Sequence, residues 1–173
     1  DPRYPSTDAD IQAQYDFLIK VRDKVTETHQ AIKDIREVRE QMSTLMDKIK
    51  DDERYTEVVA AGDTLMKQMT TVEEALYQTK NRSGQDPLNF PIRLNNTLLG
   101  VAGSGERGPT KQAEEVRVLL TEQIDAQLAI LSRLMENDLP AFNDLVKQKS
   151  VDAIILKKKV DSDEETSSSS DNN

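Results

Sequence analysis

Residues 46–58 read MDKIKDDERYTEV, and whether this run is straight or bent fixes how the rest of the chain packs. Upstream of it, Ile11, Leu18, Val25, Ile32, Arg39 and Met46 fall on one heptad line, with Val21, Thr28, Ile35, Met42 and Ile49 on a companion line. Such 3-4 spacing predicts a long helix with nearly antiparallel neighbours. Downstream, Tyr55, Val58, Gly62, Leu65, Met69, Val72 and Leu76 form a second stripe, out of phase with the first. A single straight helix would turn the two stripes away from each other. A reversal near Asp51–Asp52, with an aspartate capping the second helix, buries both. Gly62, a poor helix former inside the second stripe, predicts a close helix–helix approach.

Working outward, Asp1–Pro5 reads as an extended lead-in, because Pro2 and Pro5 disfavour helix in the residue before each. Thr7 is placed to cap the first helix, with Asp10 completing a capping box. Beyond the second stripe, residues 77–96, YQTKNRSGQDPLNFPIRLNN, interrupt the helical pattern with turn chemistry at Ser83-Gly84 and Asp86-Pro87. Ile92–Ala102 then suits a short helix and Gly103–Pro109 a loop. From Thr110, a further N-cap, an arm carries Val116, Leu119, Leu120, Ile124, Leu128, Leu131 and Met135. Pro140 lacks an N–H and is expected to kink or restart that arm.

Lengths then select an architecture. Residues 8–49 span roughly 63 Å as helix, residues 110–148 roughly 58 Å, and residues 54–79 with 91–102 together roughly 57 Å. The expectation is an all-α, up-down-up antiparallel bundle of three long arms, the middle one broken by an ordered loop. Residues 1–7 are the linker from an upstream domain, 8–149 the bundle, and 150–173 a short arm followed by a tail. Asp161–Asn173, DSDEETSSSSDNN, is acidic and Ser-rich without apolar residues, so it is expected to be disordered.

Composition narrows the function. The 173 residues carry a net charge of −9, with 32% charged and 36% apolar side chains and no cysteine. The pI near 4.7 argues against nucleic acid and against anionic membranes. No apolar run approaches the ~20 residues of a membrane span. Without cysteine there are no disulfides or thiolate metal sites. The chain opens DPRYPSTDAD, with no initiator Met and no signal-like segment, and reads as a piece of a longer polypeptide.

Motifs that suggest chemistry weaken on inspection. Gly103-Ser-Gly105-Glu-Arg-Gly108 matches GxGxxG as a string, but a helix precedes it where a dinucleotide site needs a strand, and Pro109 follows where it needs a helix. His29 is the only histidine and has no second His or Cys to share a metal. The pairs Asp51–Asp52, Glu73–Glu74 and Glu114–Glu115 read as solvated charge, since adjacent helical residues point apart. Asp161-Ser-Asp163 resembles the start of a calcium loop but lacks its Gly and its final Glu. No catalytic, metal or cofactor residue is expected.

The central stretch remains. Leu88, Phe90 and Ile92 are its apolar anchors, while Arg82, Arg93, Asn81, Asn95 and Asn96 are available to satisfy backbone carbonyls. It serves either to cap the bundle and pin the helix break or to dock a neighbouring domain. Tyr77, Asn81, Arg82, Asp86, Phe90, Arg93, Asn95 and Asn96 are the candidate loop-ordering and docking residues.

This stretch, with the DPR opening and the ADIQAQYDFL and IREVREQ runs of the first helix, resembles the C-terminal helical region of a bacterial family. Its members are large secreted proteins with sortilin-like, BNR/sialidase-type β-propellers, often labelled glycosyl hydrolase. The resemblance covers residues 1–146. It implies an exported parent, secreted or in the periplasm or cell envelope, whose signal peptide and propeller lie upstream, often with a small β-domain between. Any hydrolase chemistry would belong to the propeller, and none carries onto residues of this chain.

The expected function is therefore a non-catalytic structural and interaction module that braces or docks on the upstream β-propeller or β-domain of the same polypeptide. The alternative is a coiled-coil-like self-association module giving a homo-oligomer. Participation in a glycoside hydrolase ranks third, for want of any nucleophile or acid/base pair.

Overall fold

A computed structural model describes residues 6–79, 83, 88–103 and 108–152, without the side chains of residues 99 and 101–103. The described chain is helical: α1 (Asp8–Ile49), a 3-10 turn (Glu53–Tyr55), α2 (Thr56–Leu76), α3 (Phe90–Gly103), α4 (Lys111–Arg133), a π turn (Leu134–Asp138) and α5 (Leu139–Gln148). No described helix is long and apolar enough to cross a membrane.

α1 begins as its first residues dictate. The Thr7 hydroxyl accepts from the Asp10 N–H at 3.2 Å, and the Asp10 carboxylate accepts from the Thr7 N–H at 2.9 Å, closing a capping box. The Thr7 hydroxyl also donates to the Asp10 carboxylate at 2.7 Å, and this bond, then the one from the Thr7 backbone N–H, holds the Asp10 carboxyl below the usual carboxylate range. At the far end the chain reverses where the phase shift requires. The Asp52 N–H bonds back to Ile49 O at 3.1 Å, and the Asp52 carboxylate caps the 3-10 turn by accepting from the Arg54 N–H at 3.0 Å. The Arg54 guanidinium also holds that carboxylate, at 2.6 Å, and depresses its pKa.

Contacts along the arms set their directions. Met46 faces Gly62 while Arg36 and Arg39 meet Glu73, so α2 returns antiparallel to α1. Gly108 lies against Asp10 and Ala13, and Lys24 pairs with Asp125 at 2.6 Å, so α4 runs parallel to α1. Lys149 reaches Glu57 at 2.6 Å, closing the third arm onto the start of the second. α3 packs on α1 and α4, completing the middle arm. The result is the up-down-up bundle, with α2 and α3 sharing its middle arm.

The α2 stripe packs as read: Tyr55, Val58, Gly62, Leu65, Met69, Val72 and Leu76 are all buried. Each large apolar side chain there contributes about 1.5–3 kcal/mol through burial. The α1 stripe is wider than the two heptad lines. Phe17 and Ala31 are buried and Val38 and Leu45 pack against the core, forming a third line. A helix flanked by two arms needs that breadth. Thr28, fully buried, is satisfied by donating to Lys24 O at 2.8 Å.

Some expectations require correction. Ile11, Val116 and Leu119, placed on apolar seams, are exposed; on α4 the buried line is Leu120, Ile124 and Leu131, and Val116 and Leu119 lie beside it on the helix surface. At Pro140 the third arm restarts as α5 after a π turn, as the missing N–H leads one to expect. The proline leaves the Glu136 carbonyl without an i+4 donor, and the preceding turn widens so that the Leu139 N–H bonds to Leu134 O. α3 starts two residues earlier than Ile92, at Phe90, and includes Gly103. Just past the end of α5 and its C-cap Lys149, Ser150 has a φ of 50°, which reverses the backbone so that the Val151 N–H reaches Val146 O at 3.3 Å. The expected lead-in 1–5, most of the loop 80–87 and the tail 161–173 lie outside the described residues.

Candidate functional site

The join between α2 and α3 is built around a buried carboxylate. Glu73 is only 4% exposed, on the α2 face turned to α1. Its Oε1 accepts from Arg36 Nε at 2.6 Å and its Oε2 from Arg39 Nη1. An ionised group this far from water requires such pairing, and two arginines from successive turns of α1 supply it. The Arg36 guanidinium also covers the Tyr77 ring at 5.3 Å from its centroid, and the His29 ring meets Tyr77 edge-on at 6.3 Å. His29, Arg36, Glu73 and Tyr77 thus form one continuous set of contacts between α1 and the end of α2.

Tyr77 ends α2 in an extended conformation (φ −138°, ψ 149°), with its N–H on Glu73 O at 2.8 Å. The last carbonyls of a helix have no intrahelical donor. Here Asn89 provides one: its Nδ2 donates to both Glu74 O and Tyr77 O at 2.5 Å. The Asn89 carbonyl accepts from the Arg93 N–H at 3.0 Å, inside the first turn of α3. One residue therefore finishes α2 and starts α3. Pro91 follows inside that first turn, where its missing N–H costs nothing, and is buried. The residues on either side of segment 78–88, Tyr77 and Asn89, are thus hydrogen-bonded to each other.

Of the residues singled out in sequence, Tyr77 and Phe90 are half-buried and pack on the core on either side of this segment. Arg93 is exposed and its guanidinium lies 5.9 Å from the centre of the Phe90 ring. Asn95 and Asn96 are exposed on α3, and the asparagine seen to bind carbonyls at this join is Asn89. Asn81, Arg82 and Asp86 lie outside the described residues. Sequence reading missed Asn89, Glu73 and the two arginines. Of the Glu73–Glu74 pair only Glu74 fits the expectation of a solvent-facing charge; adjacent helical residues point apart, and Glu73 is the one that points inward.

The remaining charged clusters are structural in form. Glu114 takes both ends of the Arg117 guanidinium at 2.9 and 2.6 Å, and Arg117 holds its carboxyl below the usual range. At Lys24, burial draws the ammonium pKa down, but hydrogen bonds to Asp125 and Glu27 more than reverse this. Among the described residues, no three His, Cys, Asp or Glu side chains are grouped as a metal site, and no buried side-chain polar atom lacks a partner.

Compared with family models, curated proteins and solved structures, the chain matches none.

Proposed function

We propose that this chain is a non-catalytic structural and interaction module that docks on neighbouring domains of its own polypeptide through residues 78–88. The observation that carries this reading is the tie across that segment. Asn89 on one side bonds to Tyr77 on the other, and the Glu73–Arg36–Arg39 cluster with Tyr77 fixes the helix that precedes it. A segment whose flanking residues are tied together on a rigid scaffold is well placed to present a recognition surface. By the resemblance of residues 77–96, the partner is an upstream β-propeller of the sortilin-like, BNR type, and the parent is exported.

Cross-linking of the full-length polypeptide tests it. Lys80 lies in that segment, and Lys111 opens α4. The reading expects links from Lys80 to lysines of the upstream domain. Links from Lys80 confined to the bundle would contradict it.

A further inference from the structure

α4 carries a second apolar stripe that no described arm covers. Val116, Leu119, Gln123, Ala126 and Ile130 follow 3-4 spacing beside the buried line of Leu120, Ile124 and Leu131. Val116 is 44% exposed, Leu119 52% and Ile130 42%. A core line alone would not need apolar residues at these adjoining positions.

The stripe is self-complementary in the antiparallel sense. A second α4 laid across it with a two-fold axis at Gln123 sets Val116 opposite Ile130 and Gln123 opposite its own copy, with Leu119 and Ala126 meeting one residue, about 1.5 Å, out of register. Glu115 and Arg133 lie about five full helical turns apart, so they share one flank of the stripe. In an antiparallel pair like flanks meet, which brings Glu115 of each copy to Arg133 of the other, twice. Both residues are available for re-pairing: Lys111 is 3.6 Å from Glu115 and Asp138 is 3.9 Å from Arg133, loose contacts between exposed groups. Arg133 also borders an open groove with Thr64 and Gln68 of α2 rather than a packed seam.

We propose that the chain self-associates through this face of α4 as a two-fold antiparallel pair, the occupant being a second copy. The contact is small. Five positions span roughly 21 Å of helix, placing the pair below the ~1,200 Å² of stable interfaces, so it forms reversibly and depends on concentration. Glu122, on the same flank, approaches its own copy near the axis and keeps the pair weak. This inference is independent of the docking reading, which rests on the join between α2 and α3 and not on α4.

Sedimentation of the whole chain over a wide concentration range tests it, read alongside circular dichroism to establish folding. Wild type is expected to shift from monomer to dimer as concentration rises. Glu115→Arg and Arg133→Glu each weaken the dimer about tenfold, the scale of two lost charge pairs at ~0.7 kcal/mol each, and the double swap restores it. A wild type that stays monomeric to millimolar concentration, or a double swap no better than the singles, overturns the proposal. Because the chain has no cysteine, Gln123→Cys supplies a unique thiol at the axis. It is expected to form disulfide-linked dimers faster than Thr44→Cys on the exposed side of α1. Equal rates overturn the proposal as well.

Discussion

Arg36 and Glu73 are joined at 2.6 Å across α1 and α2, although the glutamate is 4% exposed and the arginine side chain about half in water, at 54%. The pair is asymmetric, and the asymmetry predicts how it breaks. Removing both arginines strands a buried carboxylate, so Arg36→Ala with Arg39→Ala is expected to cost about 3–5 kcal/mol. Glu73→Leu frees two arginines that can turn to solvent and fills the site with apolar atoms, and is expected to cost less than about 2 kcal/mol. Urea unfolding of the variants gives the order directly.

Asn89 works as a donor, and only as a donor. Asn89→Ala loses two hydrogen bonds to helix-end carbonyls and is expected to cost about 1–3 kcal/mol. Asn89→Asp keeps the shape but aims a carboxylate at Glu74 O and Tyr77 O, and is expected to be worse than alanine. Thermal unfolding compares the two, and limited proteolysis should show earlier cleavage within residues 78–88 in both.

Gly62 is a packing glycine. A Cβ there would stand 2.4 Å from Met46 Sδ and 3.2 Å from Phe142 Cε2. Alanine gains about 1 kcal/mol of helix propensity against an overpacking cost of about 1–3 kcal/mol, so Gly62→Ala is expected to be net destabilising. Combined with Met46→Ala, the loss should be smaller than the two single losses added, because the thioether no longer occupies the space.

Acid should weaken the helix starts. Asp10, Asp52 and Glu114 all have lowered folded-state pKa values, through Thr7, Arg54 and Arg117 respectively. A carboxyl depressed by folding contributes stability above its unfolded value and loses it as pH falls through the folded one. Stability is therefore expected to decline between about pH 5 and pH 2, and Asp10→Asn with Asp52→Asn to flatten that decline. Denaturant midpoints measured across this range check it.

These sites differ in how far the sequence revealed them. Asp52 and the Thr7–Asp10 box were legible because caps are local: a residue and its partners lie within three positions. The α2 stripe was legible because one face meets one core. The third line of α1, through Phe17 and Ala31, was not, since two heptad lines describe a two-helix seam and this helix has neighbours on two sides. Glu73 was hidden because its partners are 34 and 37 residues away, and Asn89 because its acceptors are 12 and 15 away. Nothing local distinguishes such residues from solvated ones. Arg39 gave the one hint, as a charge on an apolar line that awaited a buried partner.

The most direct test of the interaction role is hydrogen exchange at residues 78–88, comparing this chain alone with the full-length polypeptide. A docking segment predicts slower exchange there in the longer protein, with the Glu73 cluster equally protected in both. Identical exchange at residues 78–88 in the two would contradict the account.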